Sequence, residues 1–234
     1  MEQRGRFKIF FVYVLVIAGF LGFAQLGNKA ITAIAQKIPV ERIHTVVIDP
    51  GHGGEDGGAI SVTGVPESQI NLEISLRLED LMHLLGYRTK MIRTTDRSVY
   101  TQGDTIAAKK VSDLRQRVKI VNETDGALLI SIHQNTFSED RYSGAQIFYA
   151  AAGEAQPLAE ALQEAFRRSI NPGSNRMAKK AEGIYLLEHI EQTGVLVECG
   201  FLSNHSEEAL LRNREYQLKI SCIIAVTTAG FLTK

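Results

Sequence analysis

The sequence predicts an α/β protein, a three-layer α/β/α sandwich around a mostly parallel sheet, preceded by a membrane segment. Three observations carry that expectation. From residue 43 onward, short β-branched apolar runs alternate with stretches of helical periodicity, the pattern of a sheet covered by helices. The 234 residues suit one medium domain with an appendage, and a domain of that size buries a substantial core. Finally, residues 9–28 carry no charge at all.

That uncharged stretch, IFFVYVLVIAGFLGFAQLGN, follows Arg4, Arg6 and Lys8, the basic flank expected of a segment whose N-terminus stays in the cytoplasm. At 1.5 Å per residue a helix of that length spans roughly 30 Å of hydrocarbon. The run is longer than an ordinary signal-peptide core, which favours a retained anchor, whereas Ala33-Ile34-Ala35 offers a cleavage-type site further on. Either outcome exports the body. Residues 29–42 read as a tether, and 43–234 as the folded domain.

The elements of the domain follow in order. Ile43–Asp49 is a β-branched run that stops at Pro50-Gly51, a buried strand by pattern. Ile70, Ile74, Leu78, Leu81 and Leu85 recur at i, i+4 and i+3 steps, one apolar helix face ending at Gly86. Tyr87–Ile92 is a second strand. Residues 93–112 are polar and irregular, a long loop of the kind that carries function. Leu114, Val118 and Val121 mark a second helix, followed by strands at Ala127–Ile132 and Ala145–Ala150. Pro157–Ile170 is a third helix with Pro near its first turn. A loop over 171–182 precedes two expected strands, Ile184–Leu187 and Val195–Glu198, and a helical region runs from about Glu207 to Phe231.

Charge and cysteine content narrow the function. With 26 basic and 26 acidic side chains the chain has no general basic footprint for nucleic acid. The first 42 residues hold six basic and two acidic groups; subtracting them leaves 20 basic and 24 acidic, so the body is mildly acidic at −4. Two cysteines are too few for a disulfide framework and form no C-x-x-C pair. Cys199 has no basic neighbour in sequence to activate it and reads as a small strand-end hydrophobe.

Four polar residues stand where apolar strands end or a helix begins: His52 in D-P-G-H-G-G, Glu67, His133 in I-S-I-H-Q-N, and Glu198 in V-L-V-E. Functional residues of α/β sheets gather at strand ends, so these four can converge from distant sequence positions. Two imidazoles and a carboxylate make a zinc set with a fourth position open, and a second carboxylate nearby can move a proton. Each residue also has a plain structural reading: a glycine-rich turn, a satisfied core histidine, an acid at a helix N-terminus, a surface carboxylate. Residues alone therefore leave only a weak preference for a metal hydrolase. His44, His83, His189 and His205 lack a partner ligand at helical spacing and read as structural or solvated.

The blocks V-V-I-D-P-G-H-G-G-E-D-G-G-A, E-S-Q-I-N-L-E-I, A-L-L-I-S-I-H-Q-N and V-L-V-E-C-G-F-L-S-N resemble the zinc-dependent N-acetylmuramoyl-L-alanine amidases, in the same order and at matching spacings from about Ile43 to the C-terminus. The resemblance implies a mixed six-stranded sheet flanked by helices. It also implies one Zn²⁺ held by His52, Glu67 and His133, with Glu198 as the catalytic carboxylate. The reaction implied is hydrolysis of the amide between the lactyl group of N-acetylmuramic acid and L-alanine of the stem peptide. Asn135 and Asp49 are the candidates to support imidazole orientation. The stretches D-L-R-Q-R-V-K-I-V-N and S-G-A-Q-I-F-Y resemble the CwlD-type branch of spore formers, which implies spore-cortex peptidoglycan as substrate, ahead of muramic-δ-lactam formation. The expected location is extracytoplasmic, membrane-anchored or secreted. The expected partners are peptidoglycan, the membrane through the N-terminal segment, and an exported activating protein. Thr193-Gly194 and Leu187-Glu188 depart from the family pattern in a substrate-side loop, which bears on stem-peptide preference. A different exported zinc peptidase, such as a carboxypeptidase, and a non-catalytic wall-binding regulator are the rival functions.

Overall fold

The computed structural model describes residues 45–233. The membrane segment expected over 9–28 and the tether over 29–42 lie outside them. Among the described residues no helix is long and apolar enough to cross a membrane.

Six strands form one sheet: β1 (Thr45–Pro50), β2 (Arg88–Met91), β3 (Ala127–Asn135), β4 (Gln146–Tyr149), β5 (Lys179–Lys180) and β6 (Thr193–Phe201), in the order β2-β1-β3-β6-β4-β5. β2, β1, β3 and β6 run parallel, β4 pairs antiparallel to β6, and β5 runs parallel to β4. The helices are α1 (Glu67–Leu84), α2 (Ile106–Asn122), α3 (Ala155–Ser169), α4 (Tyr185–His189), α5 (His205–Leu211) and α6 (Arg214–Leu232).

Alternation along the central strands builds two cores. Val46, Ile48, Leu128, Ile130, Ile132, Val195 and Val197 face one side and pack on Ile70, Ile74 and Leu78 of α1, Leu158 and Leu162 of α3, and Ile220 and Ile224 of α6. Val47, Leu129 and Leu196 face the other side, against Val121 of α2 and Leu186 and Leu187 of α4. Strands buried on both faces read as continuous apolar runs, which is why β1, β3 and β6 were visible in the sequence. The result is the expected three-layer, mixed six-stranded architecture. Because β1, β3 and β6 are parallel, their C-terminal ends open on one edge of the sheet.

Several boundaries differ from the sequence expectation. Ile184–Leu187 is not a strand: Tyr185–His189 forms the short helix α4. A four-residue apolar run carries no periodicity that separates the two, and burial of Leu186 and Leu187 against the α2 side decides for helix. The fifth strand lies instead within the loop expected over 171–182. There Lys179 and Lys180 pair with Phe148 and Tyr149 while both lysine side chains stay exposed. The loop after β2 is shorter than expected because α2 starts at Ile106, capped by the Thr105 side chain on the Ala108 N–H at 3.1 Å. The C-terminal helical region breaks into α5 and α6, with Asn204 and Asn213 each capping the helix that follows.

Candidate metal centre and active site

At the end of β1 the chain turns through Gly51 and His52. Among the described residues His52 alone is a non-glycine residue with positive φ, at 58°. Held strain of this kind collects at functional sites. The glycines around it are steric requirements. A Cβ on Gly51 would lie 2.2 Å from His133 Nε2, and one on Gly58, itself at φ 72°, would lie 2.6 Å from Glu67 Oε2 and 2.7 Å from His52 Cδ2.

Two buried arginines hold this turn, and the sequence reading found neither. Arg93 donates from Nε to the Pro50 carbonyl at 2.9 Å and from Nη2 to the carbonyls of Gly51 (2.9 Å) and Ser68 (2.8 Å). Among the described residues it forms no ion pair with a carboxylate, and burial lowers its pKa to about 10. Arg117 donates to the carbonyls of Pro50 (3.0 Å) and His52 (2.8 Å), and it pairs with Asp49 and, at 2.6 Å, with Asp113. Arg93 stands in a stretch that reads as a polar loop, and Arg117 is the lone cation on the inner face of α2. A buried guanidinium leaves no mark in a hydropathy pattern.

Glu67 is the first residue of α1, and its carboxylate is the hub of the site. Oε1 accepts from the Gln134 N–H (3.1 Å) and Asn71 Nδ2 (3.1 Å) and lies 2.9 Å from His133 Nδ1. Oε2 accepts from the Ala59 N–H (3.1 Å) and lies 3.2 Å from His52 Nε2. Asn71, one helical turn on, also reaches the Gly51 carbonyl (3.2 Å) and accepts from Gln134 Nε2 (3.1 Å). Burial opposes the charge of Glu67, yet the hydrogen bonds from His133 and His52 outweigh it and hold the carboxyl well below the usual range. For His52, burial disfavours the cation, but Glu67 and then Asp56 reverse the sign and raise its pKa.

His52, Glu67 and His133 each offer one ligand atom, and these atoms lie within 4.8 Å of one another. The two imidazoles meet edge to face, with centroids 5.0 Å apart. Two nitrogens and a carboxylate oxygen at this spacing suit a borderline cation with an open position. His52 Nδ1 is bound by Asp56 Oδ2 at 3.0 Å, which leaves Nε2 turned to the cluster. Asp56 was missed in the sequence reading, although its i+4 spacing from His52 inside a glycine-rich turn was the available signal.

Glu198 is the Cα partner of His133 across the parallel β3–β6 pair, so both side chains leave the same face of the sheet. Its Oε2 is sealed from solvent and has no hydrogen-bond partner among the described residues. Burial pushes the Glu198 carboxyl up to about 7; His133 offsets part of this and Glu67 adds to it. A carboxyl poised near neutrality beside a donor cluster is equipped to take and return a proton.

The remaining candidates stand further out. Asp49 accepts from Ser131 Oγ at 2.7 Å and pairs with Arg117, so it reaches His52 through the guanidinium rather than by touching an imidazole. Asn135 is tied by its carbonyl to the Leu202 N–H at 2.8 Å, and among the described residues its side chain makes no hydrogen bond to the cluster. Cys199 is buried, and burial pushes its thiol up, away from reactivity.

Comparison with known proteins matches the chain to one family. Residues 46–227 match the family model of N-acetylmuramoyl-L-alanine amidases. The chain is 38% identical over 181 residues to the germination-specific N-acetylmuramoyl-L-alanine amidase of Bacillus subtilis, covering 76% of each protein. It is similar to the CwlD amidase of Clostridioides difficile, solved in complex with the GerS lipoprotein, with 35% identity, a TM-score of 0.77, and coverage of 80% of this chain and 98% of that one. The amidase AmiC2 of Nostoc punctiforme follows at 27% identity and a TM-score of 0.71, over 81% of this chain and 97% of that one. The chain belongs to the N-acetylmuramoyl-L-alanine amidase family and is an enzyme of that class.

Proposed function

We propose that this amidase works with one zinc ion held by His52, Glu67 and His133, and that Glu198 is its catalytic acid–base. The observation that carries the reading is Glu198 Oε2, a buried oxygen without a partner, on the same sheet face as His133. The donor chemistry fits zinc: two imidazoles, one carboxylate, and ligand atoms drawn within 4.8 Å by the fold. Zinc bound there would act as a Lewis acid that acidifies water and polarises the lactyl carbonyl. The chain's own residues do the rest. Asn71 and the N–H groups of Ala59 and Gln134 fix the Glu67 carboxylate, and Asp56 fixes His52. Glu198 takes a proton from the attacking water and returns it to the L-alanine nitrogen as the amide breaks.

The substrate we assign is the muramoyl–L-alanine amide of spore-cortex peptidoglycan, and the site of action is outside the cytoplasm, with the N-terminal segment on the membrane. Similarity to a germination-specific amidase and to CwlD supports that assignment. An exported lipoprotein is the partner class supported by the solved CwlD–GerS complex. Asn135 and Asp49 enter as supports of the ligand loops rather than as ligands.

The test is digestion of cortex peptidoglycan by the full-length chain with added zinc or chelator, read by mass spectrometry. The expected products are muramic acid without its stem and peptides with a free L-alanine N-terminus, both absent under chelator. Release of free amino acids with intact muramoyl amides would overturn the assignment.

A further inference from the structure

Beyond the metal cluster, the edge of the sheet that bears Glu198 carries an arginine whose terminal nitrogens make no hydrogen bond or ion pair among the described residues. Arg176 lies in the segment between α3 and β5. Its Nε donates to the Ser143 carbonyl at 3.2 Å, and its guanidinium lies over the Phe201 ring, 5.0 Å from the centroid. Among the described residues no carboxylate forms an ion pair with it. The nearest acidic influence, Glu207, uses its carboxylate on the N–H groups of Gly144 and Phe201, both at 2.8 Å. Arg141, by contrast, is paired with Glu139 at 2.8 Å. Arg176 is thus anchored at Nε and on an aromatic face, with its terminal nitrogens left to a ligand. A guanidinium oriented in this way binds a carboxylate with little further ordering.

Its place relative to Glu198 is set by the sheet. Phe201, on which it rests, is three residues beyond Glu198 in β6; a register shift there sets it opposite Asn135, two residues beyond His133, so the span is about 7–10 Å. Gln146 is the Cα partner of Glu198, and its Nε2 donates to the carbonyl of Met177, the residue next to Arg176, at 2.7 Å. The exposed ring of Phe137 and the ring of Tyr142, 4.7 Å apart, continue the same wall, Tyr142 stacking over Phe201 at 6.3 Å. An extended peptide covers at most about 3.6 Å per residue, so a span of about 7–10 Å corresponds to two to three residues along a stem.

We infer that Arg176 is a specificity residue that binds a free carboxylate of the stem peptide, two or three residues from the scissile amide, against the wall formed by Phe201, Tyr142 and Phe137. This rests on the amidase reading above and deepens it. Stem residues that present a carboxylate would be preferred to the same residues as carboxamides, because a carboxamide gives the guanidinium no charge partner.

The experiment uses the full-length enzyme and synthetic muramoyl stem peptides bearing either a free carboxylate or a carboxamide at the second residue, and the same pair at the third. Wild type should favour the free acid at one of the two positions by about ten- to a hundredfold in kcat/KM, the range of one charge-assisted hydrogen bond. In Arg176→Gln that ratio should fall to near one, and Arg176→Lys should keep part of it. Equal turnover of acid and amide by wild type at both positions would overturn the inference while leaving the amidase intact. So would a preference that survives in Arg176→Gln. If wild type cleaves none of the four, the substrate assignment under Proposed function falls, and this inference with it.

Discussion

Glu198 couples stability to chemistry. Its carboxyl, pushed up to about 7 by burial, keeps its proton more tightly when folded than when unfolded. Its contribution to stability is therefore full below the unfolded value near 4.5 and is lost as pH rises through about 7. Thermal denaturation of the metal-free protein should show a melting temperature that declines from pH 5 to pH 8, and Glu198→Gln should flatten the decline. The same substitution should lower turnover by roughly 10²- to 10⁴-fold with metal content unchanged. Retention of near wild-type turnover would remove Glu198 from its role. Gly51 offers the complementary steric test. In Gly51→Ala the new methyl occupies the space of the His133 ring, 2.2 Å from Nε2. Elemental analysis should find much less bound metal than in wild type, while circular dichroism keeps the α/β signature.

At the scale of elements, α1 and α2 do different work at the same strand end. α1 presents Glu67 and Asn71 on one face, one turn apart, and Asn71 holds the carboxylate that the two imidazoles share. Asn71→Ala should weaken metal affinity by about 10- to 100-fold, the usual effect of removing a ligand's supporting partner, as measured by competition with a chromophoric chelator. α2 brings Arg117 to Asp49. Burial alone would raise the Asp49 pKa, but Arg117, with Ser131 and His133, carries it below the usual range. That stabilisation is present above the unfolded value of 3.8 and is lost as pH falls through the lower folded value. Arg117→Met leaves Asp49 buried and uncompensated, which should cost about 3–5 kcal/mol in denaturant unfolding at neutral pH. Pairing it with Asp49→Asn should recover a large part of the loss, since the stranded charge is gone.

For the whole molecule, the two cores on either side of the sheet are built without the site. The Glu67 hub is satisfied by Asn71 and by backbone N–H groups of residues 59 and 134. Chelation should therefore abolish hydrolysis yet leave one cooperative unfolding transition. Calorimetry with metal at about a hundred times its dissociation constant should regain about 2.7 kcal/mol. Loss of the cooperative transition on chelation would show instead that metal ligation is part of folding. Hydrogen exchange should be slowest in β1, β3 and β6, which are sandwiched on both faces, and fastest at the two-residue edge strand β5.

The layered α/β class is legible in one dimension, because strands buried on both faces must be continuous apolar runs and the covering helices must show one apolar stripe. The sequence also marked His52, His133 and Glu198 at strand ends and Glu67 at a helix start, and the motif blocks around them supplied the resemblance that assigns their roles. What surrounds them depends on contacts made in three dimensions. The pairing partner makes β5 a strand, since Lys179 and Lys180 carry no apolar pattern, and burial against α2 draws the apolar run at 184–187 into the helix α4. Arg93 and Arg117 look like surface charges in one dimension. They become the clamps of the His52 turn because folding places them over backbone carbonyls and Asp49 that no local window contains. The proton affinity of Glu198 has the same origin. A carboxyl's pKa is set by the solvent it loses and the charges it meets, and the charges here, His133, Glu67 and His52, stand 65 to 146 positions away in the chain.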